Sequence, residues 1–156
     1  MHHRHVESTP VLSHRQREFL AASRTATLAT IAEDGRPRLV PICFVVGVDG
    51  EAVHTPLDEK PKAVADPHDL ERVRDILARP EVVLLVDRWS EEWSRLAWLR
   101  VEGHASLVEP GDAGGEHERA VAALRAKYPQ YRSHRLEQRP IIRIDVERAR
   151  RWGELG

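Results

Sequence analysis

The chain has 156 residues, of which 31% are charged and 41% hydrophobic, and its formal net charge is −1. That length fits one domain able to bury a core without metal or disulfide staples, and the near-zero charge gives no global pull toward nucleic acid or an anionic membrane. A single cysteine, Cys43, excludes an intrachain disulfide and suits a reducing, cytoplasmic setting. No apolar run approaches the ~20 residues of a membrane helix.

Residues 1–12 read as a disordered tail, and residues 13–156 as the single domain. The tail carries His2, His3 and His5, but it lacks the apolar stretch of a signal peptide, and no functional metal is assigned to it. A helix is expected over residues 13–23, with Ser13 as its cap and Gln16 completing a capping box. Residues 25–31, rich in Thr and small side chains, form a first strand that ends at the turn signal Asp34-Gly35 followed by Pro37. Residues 38–48 read as a second strand, and Pro41 inside it indicates an edge or a bulge. Asp49-Gly50 turns the chain into a short third strand over 51–55. A proline-rich loop over 56–67 leads to a second helix over 68–78, whose core stripe is Leu70, Val73, Ile76 and Leu77. The nearly continuous apolar run over 81–87 belongs in the middle of a sheet. After a loop bearing Trp89 and Trp93, residues 95–108 read as a long strand or a bent pair of strands, with Gly103 as the candidate bulge. A third helix is expected over 116–127, stopped by Tyr128-Pro129, and a last strand over 141–146. The order predicts a mainly β (α+β) architecture: an antiparallel, closed or nearly closed barrel of about six strands with three flanking helices.

Candidate chemistry is local. Of the three lysines, Lys60 and Lys62 fall in the loop before the second helix, and Arg72 and Arg74 lie near that helix's start. Loop lysines beside a helix N-terminus make an anion site suited to phosphate. The same segment also carries Asp58, Glu59, Asp66, Asp69 and Glu71, the pattern of an ordinary solvated loop. His54 and His104 sit in expected strands, where most histidines are structural. The sequence has no HExxH, CxxC, GxGxxG, P-loop or nucleophile-elbow pattern. No metal site is therefore expected, and DNA binding has no basic stripe to support it.

Three segments together resemble the split-barrel flavin and deazaflavin oxidoreductases related to pyridoxamine 5′-phosphate oxidase. They are Ala26-Thr27-Leu28-Ala29-Thr30-Ile31 with Asp34-Gly35-Arg36-Pro37 and Val40-Pro41-Ile42-Cys43-Phe44; Arg72-Val73-Arg74-Asp75-Ile76 with Pro80-Glu81-Val82; and Leu99-Arg100-Val101-Glu102-Gly103-His104-Ala105. The loop Asp58-Glu59-Lys60-Pro61-Lys62, the segment Trp93-x-x-Leu96-x-Trp98, the run from Lys127 to Tyr131 and the late Trp152 look like the branch of probable coenzyme F420-dependent enzymes. Arg72 stands where that family has lysine, and Asp75 where it has asparagine. The resemblance implies a six-stranded split barrel, FMN-binding in type, that forms a homodimer with the cofactor at the subunit interface.

On that resemblance the chain is expected to be an oxidoreductase passing hydride from reduced coenzyme F420 to a small organic acceptor. Val40, Pro41 and Ile42 would lie along the ring system, with His54 and Thr55 at its edge. Lys60, Lys62, Arg72 and Arg74 would balance the phosphate and acidic tail, and Trp152 would contact the cofactor. No side-chain acid or base is assigned; His54 is the one catalytic candidate. Two alternatives stand beside it: an FMN-dependent oxidase or reductase, and a non-catalytic module that sequesters a cofactor, haem or another tetrapyrrole.

Overall fold

The computed structural model describes residues 10–47, 50–57 and 66–156. Helix α1 (His14–Ala22) opens with the expected box: Gln16 N–H donates to Ser13 Oγ at 3.2 Å, and Ser13 N–H donates to Gln16 Oε1 at 2.9 Å. Strands β1 (Ala26–Ile31) and β2 (Pro37–Ile42) form an antiparallel hairpin around Gly35, whose φ of 86° is the left-handed conformation such a turn needs. Strands β3 (Val45–Val46) and β4 (Ala52–Pro56) form a second hairpin. Helix α2 (Glu71–Ala78), strands β5 (Glu81–Arg88) and β6 (Ala97–Val108), helix α3 (Glu116–Lys127) and strand β7 (Ile141–Trp152) complete the chain.

All seven strands join one antiparallel sheet in the order β2-β1-β5-β6-β7-β4-β3. The expected second strand is broken in two. Its first half pairs with β1 at one edge of the sheet, and its second half pairs with β4 at the other edge. Only Cys43 and Phe44 separate the halves, so the two edges must lie within about 10 Å of each other and the sheet must curl almost closed. The two-residue crossing is satisfied by side chains: Thr55 Oγ1 donates to Cys43 O at 2.7 Å, Phe44 N–H donates to the Tyr128 hydroxyl at 3.1 Å, and that hydroxyl lies 3.0 Å from Phe44 O.

Leu28, Phe44, Val53, Leu84, Leu99 and Ile142 fill the curl. A second core joins α3 to the outside of β3 and β7 through Val45, Val121, Leu124, Tyr128 and Ile141. Strand β5 sits between β1 and β6, as its apolar run implies; the register shift at Glu102/Gly103 leaves Glu147 unpaired, so the bulge expected in β6 lies across from Gly103, in β7. A Cβ at Gly103 would meet Asp145 O at 2.3 Å, so the close approach there requires glycine.

Three expectations are corrected. A single 3-10 turn (Pro67–Asp69) replaces the first turn of the second helix, because Leu70 adopts an extended backbone. Leu77 is exposed, because Val73, Asp75 and Ile76 make up the buried arc of α2 and turn Leu77 outward. The last strand runs six residues beyond Val146 and pairs with β6 as far as Trp98↔Trp152. Among the described residues, no helix is long and apolar enough to cross a membrane.

Candidate functional site

The expected site residues divide among three places. The first is the cleft between β2 and α2. Arg38, facing inward on β2, donates from Nε to Asp75 Oδ2 and from Nη1 to Glu71 Oε2, each at 2.8 Å, and Thr30 Oγ1 donates to the same Asp75 oxygen at 2.9 Å. The hydrogen bond from Asp75 raises the Arg38 pKa above its ordinary value. Asp75, the departure from the family pattern, is therefore a buried structural carboxylate tied to an arginine. Arg72 and Arg74 open on opposite sides of α2. Arg72 lines a cavity of about 430 Å³ with Val40, and Arg74 lines one of about 400 Å³ with Asp75. Across the two cavities four arginines (Arg38, Arg72, Arg74 and Arg79) meet four carboxylates (Glu33, Asp69, Glu71 and Asp75), so the described cleft carries no net charge.

His54 and Thr55 belong elsewhere, although they are neighbours in β4. Thr55 points into the curl and holds the crossing at Cys43. His54 points to the other side, beneath the start of α3, with its Nε2 2.9 Å from Glu116 Oε1. Arg143, opposite His54 in the ladder, donates to the same Glu116 oxygen and reaches Asp145 Oδ1 at 2.8 Å. Burial works to raise the Glu116 pKa, but the bonds from His54 and Arg143 outweigh it and hold the carboxyl below its ordinary value. His54, Glu116 and Arg143 line a cavity of about 470 Å³ that shares no residue with the two around α2.

The third place is the outer face of the sheet. Burial alternates along β2, β1, β5 and β6, so one side of each strand faces away from the curl. Ladder partners share a face. One row reads Pro41, Thr27, Leu85, Arg100, Arg150; the row beside it holds Trp98 and Trp152. Leu39 is 67% and Leu85 38% exposed, and Trp152 is 51% exposed. Sequence reasoning placed Pro41 and Trp152 in one site; the ladder puts them on one face, while Val40 and Ile42 alternate to the opposite side. It missed Arg100 and Trp98, whose signal is the i, i+2 spacing of large polar-tipped side chains on an alternating strand. Lys60 and Lys62 lie outside the described residues. Among the described residues no cluster of His, Cys, Asp and Glu could hold a metal ion.

A curled antiparallel sheet whose edges are bridged by two residues, with helices at its rim and an uncovered outer face, is a split barrel. The sequence profile described as pyridoxamine 5′-phosphate oxidase matches residues 12–153, and the chain belongs to that family. No curated protein matches it. Among solved structures it is similar to the conserved hypothetical protein Rv2991 of Mycobacterium tuberculosis, with 22% identity, a TM-score of 0.71, and coverage of 92% of this chain and 86% of that one. It is also similar to HutZ, the haem storage protein of Vibrio cholerae (18% identity, TM-score 0.66, coverage 88% and 90%). A third is a FAD-binding protein of Mesorhizobium loti (20% identity, TM-score 0.61, coverage 86% and 87%). At these identities the likeness concerns the fold.

Proposed function

We propose that the protein is an oxidoreductase that binds a flavin-type carrier between two copies of the chain, with reduced coenzyme F420 as hydride donor to a small organic acceptor. Family membership and the uncovered outer face together support this reading. That face offers exposed leucines, Leu39 and Leu85, on one part and the Trp98–Trp152 pair on another, suited to a second copy and to a planar ring. When bound, the carrier supplies the hydride; the chain supplies position and electrostatics. Pro41 and Trp152 would line the ring's flank, and Arg72, Arg74, Lys60 and Lys62 would meet its anionic groups. The neutral charge balance of the α2 cleft gives Lys60 and Lys62 the larger share of that work. FMN is the alternative carrier, in line with the family's description and with a FAD-binding neighbour.

Parallel titration with FMN and F420, read by each carrier's absorbance, tests the reading. Saturable binding of F420 with hydride transfer to an acceptor is the expected outcome. Lys60→Ala with Lys62→Ala should weaken binding at least tenfold, more than Arg72→Ala with Arg74→Ala does. Affinity equal to the native chain's in both double variants overturns the assignment of the anionic groups. The likeness to a haem storage protein favours a second reading, a haem-sequestering module. It predicts a Soret band on haem addition and no hydride transfer.

A further inference from the structure

Two arginines on the outer face, Arg100 inside the sheet and Arg150 at its open margin, have no carboxylate partner among the described residues. Arg100 on β6 and Arg150 on β7 are direct ladder partners. Their Cβ atoms are therefore about 5 Å apart on one face, where like charges repel. In the row on one side, Glu102 and Arg148 form an ion pair at 2.7 Å. In the row on the other side, Trp98 and Trp152 face each other, with Asp87 beyond Trp98 on β5. Neither Arg100 nor Arg150 has a carboxylate partner among the described residues, and Arg100 Nε is buried there without a hydrogen-bond partner. The Arg100 guanidinium lies 5.6 Å from the centre of the Trp98 ring, which restricts its orientation on the surface. Two cations side by side, one of them oriented by an indole, next to two tryptophans form a receptor suited to an oxyanion attached to a planar group.

We propose that Arg100 and Arg150 receive a carboxylate or phosphate of the ligand that this face binds, and that they select carriers with a charged tail over those without one. This rests on the reading that the outer face holds a flavin-type carrier, and it adds a discriminating element to that site. Arg100 projects from inside the sheet, between β5 and β7, and Arg150 from its open margin beyond the reach of β4, so Arg100 would set the anion's position relative to Trp98 and Trp152. A bidentate guanidinium contact would also explain arginine rather than lysine at both places.

The test compares ligands with and without the tail. Binding of F420, of its tail-less deazaflavin precursor, of FMN and of riboflavin is measured with the full chain and with the Arg100→Gln/Arg150→Gln variant. The expected result is a loss of 10-fold or more for the charged ligands, a change under 2-fold for the tail-less ones, and a shallower dependence of affinity on salt. Equal weakening of charged and uncharged ligands, or no weakening of either, overturns the proposal. A separate arm adds inorganic pyrophosphate alone and reads the melting temperature. A rise in the native chain that the variant lacks upholds the anion site even if no flavin binds, which would sink only the oxidoreductase reading. No rise in the native chain overturns the anion site. Because the substitution removes repulsion, the ligand-free variant should melt no lower than the native chain. If it fails to fold, Arg150→Gln alone, at an exposed position, carries the same comparison.

Discussion

Lys127 closes α3 with its ammonium set 4.1 Å from the centre of the Phe44 ring. Nζ is buried and has no hydrogen-bond partner among the described residues. Burial, aided by the charge of Arg24, pulls the Lys127 pKa down to about 8. A lysine whose folded pKa lies below its unfolded value makes the unfolded chain bind the extra proton, so stability rises as pH climbs from about 8 toward 10.5. After allowance for solvent at this half-buried site the gain is about 1 kcal/mol. Urea unfolding at pH 7.5 and pH 9.5 should show it, and Lys127→Met should flatten the difference while stabilising the protein at the lower pH. Asp75 gives the opposite kind of prediction. It accepts from Thr30 and Arg38 and is 6% exposed, so Asp75→Ala should cost about 2–3 kcal/mol in thermal or chemical unfolding. Asp75→Asn keeps one acceptor and should cost about 1 kcal/mol. Its removal of a negative charge from a neutral cleft should tighten the binding of a phosphate-bearing carrier.

At the scale of elements, the crossing from β2 to β3 depends on one hydroxyl. Tyr128 Oη reaches Phe44 N, Phe44 O and Arg24 O, at 3.1, 3.0 and 2.8 Å. Tyr128→Phe should cost about 1–2 kcal/mol and raise hydrogen exchange at Phe44 before it does so in β5 or β6. Local chemistry made several elements legible in the sequence: the Ser13–Gln16 box, the turn at Gly35 and the span of α3 all follow from short-range rules, whereas Gly103 marked the place of a bulge that its partner strand carries. The break at Cys43-Phe44 was not legible, because an extended backbone continues through it and only distant partners, β1 on one side and β4 on the other, decide where one strand ends. The extra length of β7 was hidden for a related reason. Arg148, Arg150 and Arg151 fall where the apolar alternation of Ile142, Ile144 and Val146 stops, and only the ladder with β6 extends the strand over them. The candidate site was half legible. Composition marked Arg72, Arg74 and Trp152, but no sequence rule pairs Arg150 with Arg100 or sends His54 toward Glu116, since both contacts join strands or helices far apart in the chain.

At the scale of the whole molecule, the apolar half of the outer face is too continuous to be left wet. Leu39, Leu85 and Pro41 adjoin small residues of β1, and Trp89 and Trp93 stand free at the end of β5 and in the turn before β6. On the proposed pairing of two copies across this face, sedimentation of the native chain should give twice the chain mass. A Leu85→Glu change should return it to a single copy without unfolding it, since the residue packs against no core. The ladder also has a consequence for how the molecule is made. Strand β4 finds its long-range partner in β7, the last strand to leave the ribosome, some ninety residues after it. Until β7 has been made, β4 can rely only on its short hairpin with β3, and the sheet stays open on that side. A newborn chain stalled before residue 141 would therefore expose two raw strand edges, and chaperone capture should be strongest in that window.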